Sequence, residues 1–290
     1  MGKVKIKPTV DCVFKAILGK VENKSLLIHF LNAVLDLHGD ESILDVTITN
    51  PYNEKDYIDS KLSIVDIKTK DDKGHYNQID VQIVINAWLS SRILHYWASI
   101  YHSQLESGQD YSELKPATSI WLLEDYLFKP EGVNQNPDDF LHLNFQIFER
   151  NLQFSFSDHL DIHLLQLPFL QENTEIKTDK DKWLYFFKEG HNLDIKKLPK
   201  FLKTEEFIKA METLTHFSHD QRAYLLYQER INAIREQATW QNALQRKDAQ
   251  IFQFQNIVKD KDVQIQQRDA QIDQLKALLM EHQITIEDGQ

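Results

Sequence analysis

The residues with the clearest capacity for chemistry lie in one stretch, KLSIVDIKTKDDKGHYNQIDVQ, from Lys61 to Gln82. Asp66 stands between Val65 and Ile67, and Asp80 and Gln82 alternate with Ile79, Val81 and Ile83. Successive side chains of a strand point to opposite faces, so Asp80 and Gln82 share one face while the three apolar residues enter a core. The stretch reads as two strands joined by a tight turn near Gly74. With the hairpin centred near Lys73, Asp66 and Asp80 face each other across the pair. Like charges directly opposite on a sheet are destabilising, and each carboxylate raises the pKa of the other. A divalent cation between them removes both penalties. Magnesium takes one or two protein carboxylates and keeps several waters. Asp66, Asp80 and the backbone carbonyl of Val81 therefore form an expected Mg2+ site, which Mn2+ or Ca2+ can also enter. Such an ion lowers the pKa of a bound water and stabilises a pentavalent phosphate. Gln82 is placed to orient that water. The plainer alternative is an exposed hairpin with polar edges.

Other elements must hold this hairpin. Pro8 and Thr9 precede VDCVFKAIL, whose Val10, Phe14, Ile17 and Leu18 fall at helical spacing, with Thr9 as the N-cap. A second helix reads from Asn23 to about Leu37, burying Leu26, Leu27, Phe30, Leu31, Val34 and Leu35. ILDVTIT, from Ile43 to Thr49, alternates and is rich in β-branched residues, so it reads as a strand ended by Pro51-Tyr52-Asn53. After the hairpin, Ala87 to Glu106 has a helical pattern closed by Gly108 as the C′ residue, and ATSIWLLE returns as a buried strand. Helices, strands, helix and strand in that order predict an α/β core with a mixed sheet. A turn-rich linker, KPEGVNQNPDD, leads to two strand-like runs, HLNFQIFER and LDIHLLQLPFL. Beyond Pro199 only Gly289 could break a helix, and helical runs begin at Thr204 and, to about Met280, at Asp220. The expected domains are 1–189, with a motif-bearing core over 1–129 and further strands within 139–170, then a helical region 190–243 and a tail 244–290.

The tail repeats itself. KDAQI, KDVQI and RDAQI begin at Lys247, Lys261 and Arg268, multiples of seven apart. Leu244, Ile251, Val258, Ile265, Ile272 and Leu279 form an unbroken heptad column, while the companion column holds Lys247, Phe254, Lys261, Arg268 and Leu275. This predicts a coiled coil joining two or more copies, against the alternative of a lone solvated helix.

Composition narrows the class. With 290 residues, 42% hydrophobic and 27% charged, the chain is an ordinary globular protein of one large domain with an appendage or of two modest ones. No apolar run approaches the roughly 18 residues of a membrane span, and the basic start lacks the apolar segment of a signal peptide. The single cysteine, Cys12, forms no internal disulfide and reads as core, so cytoplasmic residence is the simplest expectation. A net charge of −11 argues against tight non-specific nucleic-acid binding, yet it fits a metal site built from carboxylates. Lysines gather at Lys3, Lys5, Lys7 and Lys15 and around the hairpin at Lys61, Lys68, Lys70 and Lys73, either as a solvated edge or as phosphate contacts. His159, Asp161 and His163 alternate in a metal-like way, but with twelve histidines in the chain such spacing arises easily. No Walker loop, GxSxG or GxGxxG is present.

VDCVFK, the Lys61–Gln82 stretch, and SRILHYWASIYHSQLESGQDYSELKPATSIWLLE together resemble the Rpn-type recombination-promoting nuclease and transposase family of the PD-(D/E)XK superfamily, over roughly the first 130 residues. The resemblance implies a restriction-endonuclease-like core, with a mixed central sheet flanked by helices, and metal-dependent DNA cleavage. Asp66 matches the motif aspartate of the first strand and Asp80 the acidic residue of the second. Gln82 stands where the wider superfamily has lysine, a departure that removes a positive charge near the nucleophile. Asp11 matches the helical acidic residue, either as an assisting ligand or as a helix-start carboxylate favoured by the dipole. Lys15, Lys68, Arg92, Tyr96 and Gln104 are candidate DNA contacts, with Tyr101 at a further recurrent position. Arg92, Tyr96 and, roughly, Gln104 recur at helical intervals and can line one face, or else brace the sheet. The implied activity is a Mg2+-dependent endodeoxyribonuclease. The competing class is a DNA-binding or assembly protein that retains the fold without an efficient site.

Overall fold

The computed structural model describes residues 5–50, 66–130 and 135–281. The expected stop at Pro51-Tyr52-Asn53, the start of the first hairpin strand from Lys61 to Val65, the middle of the linker and Lys3 lie outside the described residues.

Two helices open the fold, α1 (Asp11–Leu18) and α2 (Lys24–Leu35). Three strands follow, β1 (Val46–Ile48), β2 (Asp66–Asp71) and β3 (Tyr76–Gln82), then α3 (Leu89–His102) and β4 (Ala117–Leu123). The hairpin β5 (His142–Phe148) and β6 (Ser155–Gln166) precedes α4 (Asp179–Glu189), α5 (Glu205–His219) and α6 (Gln221–Glu281). The six strands form one sheet in the order β1-β2-β3-β4-β6-β5. β3, β4 and β6 run parallel and the other pairs antiparallel. The parallel step from β3 to β4 needs a crossover, and α3 supplies it. This is the mixed sheet flanked by helices expected of the sequence.

Both faces of the sheet are covered. Ile67, Ile79, Val81, Ile120 and Leu122 face a core shared with α1, α2, α4 and α5, built around Phe14, Phe30, Trp183, Phe187 and Phe207. On the opposite face Trp121, Leu123, Ile162 and Leu164 meet Leu89 and Ile93 of α3. The first turns of α6 join the former core through Ala223, Leu226 and Tyr227. Residues 1–234 form one compact unit and residues 235–290 another.

The hairpin turn is set by backbone chemistry. Gly74 sits at φ +87°, a left-handed conformation that favours glycine. The Asp71 carboxylate accepts the backbone N–H groups of Lys73 (3.0 Å) and His75 (2.8 Å), closing the turn from within. Two local expectations are corrected. Thr9 does not cap α1: Val10 is the N-cap residue, and the Thr9 hydroxyl, fully buried, donates to Glu124 instead. Gly108 does not close α3, which ends at His102 with Ser103 as its cap; Gly108 takes its positive φ (+94°) in the following loop.

The alternating His159, Asp161 and His163 serve hydrogen bonding. Tyr101 meets His159 (2.8 Å), while Lys180 donates to His142 Nδ1 (3.0 Å), the His142 and His163 rings join (2.8 Å), and His163 Nε2 meets Asp161 (2.9 Å). Lysine only donates and carboxylate only accepts, so the relay runs one way with both imidazoles neutral. Burial first, then Lys180 and His163, push the His142 pKa down to about 3, against the pull of Asp161 and Asp36. The unfolded chain takes up this proton near pH 6.5 and the folded one does not. Stability is therefore full above about pH 6.5 and falls as the pH drops toward 3. A loss of about 2 kcal/mol is expected by pH 5. Thermal melts between pH 7.5 and 5 check this: His142→Gln should flatten the acid-side slope, and an equally steep slope in the variant excludes His142 as its source.

Candidate active site

The hairpin register is the one the carboxylate spacing called for. Asp66 pairs with Asp80, Ile67 with Ile79 and Lys68 with Gln78. Asp80 is buried, with 1% exposure. Its Oδ1 accepts the backbone N–H of Val81 (2.7 Å) and Nε2 of Gln82 (3.1 Å). These donors fix the carboxylate orientation and leave Gln82 Oε1 as an acceptor on the same amide. Gln82 itself is half-buried, at the point where β3 ends.

Strand alternation decides what surrounds Asp80. Ile79 and Val81 belong to the core beneath α1, so Asp80 occupies the α3 face. Its parallel neighbour there is Trp121, whose indole donates to Ser119 Oγ (2.7 Å). The Arg92 guanidinium lies 5.6 Å from the Trp121 ring centre, and Tyr96 stacks on the same ring at 6.0 Å. The helical interval of four between Arg92 and Tyr96 thus brings both to the face that holds Asp80. Alternation from buried Ile67 puts half-buried Lys68 on this face too, across from Gln78. Gln78 was missed by the sequence reading. It is 1% exposed, and neither its amide oxygen nor its nitrogen has a hydrogen-bond partner among the described residues; the same holds for Arg92 Nε. A buried polar group without a partner costs about 1–3 kcal/mol. Such atoms occur on both faces of the sheet: Thr69 Oγ1 and Asn77 Nδ2, one position along each strand, are likewise without a hydrogen-bond partner among the described residues.

The other candidates fall elsewhere. Gln104 exchanges both halves of its amide with the Lys115 backbone, accepting at 2.8 Å and donating at 3.0 Å, which clasps the loop before β4. Lys15 is buried in α1. Asp11 accepts the backbone N–H of Cys12 (2.7 Å) and forms an ion pair with Arg230 of α6 (3.3 Å). Glu124, just past β4, accepts from Thr9 and pairs with Lys7 (3.1 Å). Neither Arg230 nor Glu124 carried a sequence signal, because both partnerships join residues more than a hundred positions apart. Burial, reinforced by Asp11 and opposed by Arg230, drives the Cys12 thiol far above its usual pKa, so it stays protonated core, as its apolar surroundings in the sequence suggest.

The residues fit a hard divalent cation. Two carboxylates at opposed register positions are oxygen donors of the kind magnesium takes, with the Val81 carbonyl adjacent in the chain. Among the described residues no cluster of three or more His, Cys, Asp or Glu forms a competing metal centre.

Neither a curated protein nor a solved structure matches the chain. The family model of the PD-(D/E)XK nuclease family transposases matches residues 8–245, well beyond the first 130, so a carboxylate hairpin in a mixed sheet flanked by helices here marks a member of that family.

Proposed function

We propose that the protein is a Mg2+-dependent DNA endonuclease that hydrolyses phosphodiester bonds, in mobile-element recombination or in defence. The observation that carries this reading is the Asp66–Asp80 register, with Asp80 buried beside Gln82, in a chain whose family is nuclease-like. When bound, the cation, Mg2+ or in its place Mn2+ or Ca2+, supplies Lewis acidity toward the scissile phosphate. Asp66, Asp80 and the Val81 carbonyl hold it. Gln82, its Nε2 engaged by Asp80, accepts a hydrogen bond from the attacking water through Oε1. Lys68 and Arg92 offer cationic contacts to the DNA backbone, with Tyr96 as a further contact. Water adds to phosphorus as the P–O bond to the leaving strand breaks, and the departing oxygen takes a proton. The tail assembles two or more copies, so that two sites can act on two strands. No described helix is long and apolar enough to cross a membrane, and we place the protein in the cytoplasm.

A second reading keeps DNA binding or assembly without efficient cleavage. Gln82 in the lysine position favours it, because a neutral amide cannot offset developing phosphate charge. Calorimetric titration with Mg2+ or Mn2+, beside plasmid cleavage in Mg2+, Mn2+ or Ca2+, separates the two. The nuclease reading expects saturable metal binding and nicked product. Absence of metal binding sinks it in favour of the second reading.

A further inference from the structure

The three basic-acidic pairs Lys247-Asp248, Lys261-Asp262 and Arg268-Asp269 all lie beyond the span matched by the family model, yet α6 continues unbroken to Glu281. The apolar column beside them is open to solvent from Leu244 to Ile272, and Leu279 is half-buried. Leu244 is 63% exposed, Ile251 53%, Val258 58%, Ile265 55% and Ile272 47%. From Leu244 to Leu279 this stripe spans about 50 Å. A column repeating every seven residues drifts about 20° per heptad around a straight helix, and a left-handed supercoil keeps it on one side. The partner that matches such a stripe is a helix with the same repeat, which a second copy of this chain supplies.

The charges determine how the copies meet. The residue three places after each apolar position lies on one flank of the stripe, and the residue four places after lies on the other. Lys247, Lys261 and Arg268 make the first flank basic; Asp248, Asp262 and Asp269 make the second acidic. A seam centred between the apolar and basic columns, the usual placement, would set each lysine against its own copy. A seam centred on the apolar column avoids this. Two parallel helices related by a two-fold along their axis then place each basic flank against the other's acidic flank at the same level. Two antiparallel helices would place basic against basic and acidic against acidic. The remaining flank pairs, Phe254-Gln255 and Leu275-Lys276, set no like charges together in the parallel form.

We propose that residues 244–279 pair with the same segment of a second copy as a parallel, in-register two-stranded coil, with the apolar column central and Lys/Arg–Asp rungs on both sides. Both nuclease-like units then lead into the same end of the coil. The inference rests on the reading of the tail as an assembly segment and not on the cleavage chemistry, so assembly and nicking fail independently.

The test uses the full chain. Sedimentation at micromolar concentration should give twice 34.2 kDa. Under oxidising glutathione, Leu244→Cys and Leu279→Cys should each cross-link to itself, and a mixture of the two should give no crossed product; Cys12 is buried and does not interfere. The triple variant Lys247→Asp/Lys261→Asp/Arg268→Asp should dissociate at least 100-fold more readily. Adding Asp248→Lys/Asp262→Lys/Asp269→Lys should restore the dimer. A monomeric wild type, a mass of three or more copies, crossed Leu244–Leu279 products, or a triple variant that dimerises like wild type each overturns the proposal.

Discussion

Replacing Asp80 with asparagine should lower metal-dependent nicking by at least about 100-fold while leaving the fold intact. The change keeps shape and removes one charge. Asp80 Oδ1 now accepts from Val81 and Gln82. The asparagine carbonyl can accept the same two donors, so the local strand is preserved. On the proposed metal site, what disappears is one of the two carboxylate donors paired in register, Asp66 and Asp80. Without metal, the melting temperature should stay level or rise, because the change removes a buried charge. With Mg2+ present, the wild type should gain stability from binding and the variant should not. Asp66→Ala should lose nicking in the same way. Nicking equal to wild type in Asp80→Asn would remove Asp80 from the site.

Trp183→Ala should cost about 3–5 kcal/mol, a large share of the stability of a typical domain. Trp183 is fully buried at the centre of an aromatic cluster, 4.8 Å from Phe207 and 5.7 Å from both Phe30 and Phe187 by ring centres. Its indole N–H donates to His29 Nδ1 (2.9 Å), and His29 in turn meets Asp179 (3.5 Å). Truncation leaves a cavity between α2, α4 and α5 and strips His29 of its donor. Urea unfolding followed by circular dichroism should show the midpoint fall with an unchanged slope. Trp183→Phe should recover most of the loss, since it fills the space and omits the hydrogen bond. A shift below about 1 kcal/mol in the alanine variant would mean that the site collapses around the smaller side chain.

Much of the fold was legible because local patterns agreed with the global one. The apolar spacing of α1 and α2, the alternation of the hairpin and the continuous apolar run of β4 each follow from the period of the element that carries them. The Asp66–Asp80 register was readable because the hairpin is local: Gly74 marks the turn, and counting outward from Lys73 gives the pairing. Misreadings arose where a distant partner outbid a local rule. Thr9 has the chemistry of an N-cap, but Glu124 lies within reach of its hydroxyl, and the fold uses it there. Gly108 satisfies the C′ pattern, but α3 stops at His102, and Gly108 takes its positive φ in the loop beyond.

The sequence by itself determined the carboxylate hairpin, the α/β order and the seven-residue repeat of the tail, because each depends on neighbours a few residues away. Only the tertiary structure decided which face of the sheet receives Asp80. It also decided that Arg92 and Tyr96 meet that face through Trp121, that the Gln78 amide lies there with no hydrogen-bond partner among the described residues, and that Asp11 is joined to Arg230. Those relations come from strand order and helix packing, which bring together residues far apart in the chain and which no local periodicity encodes.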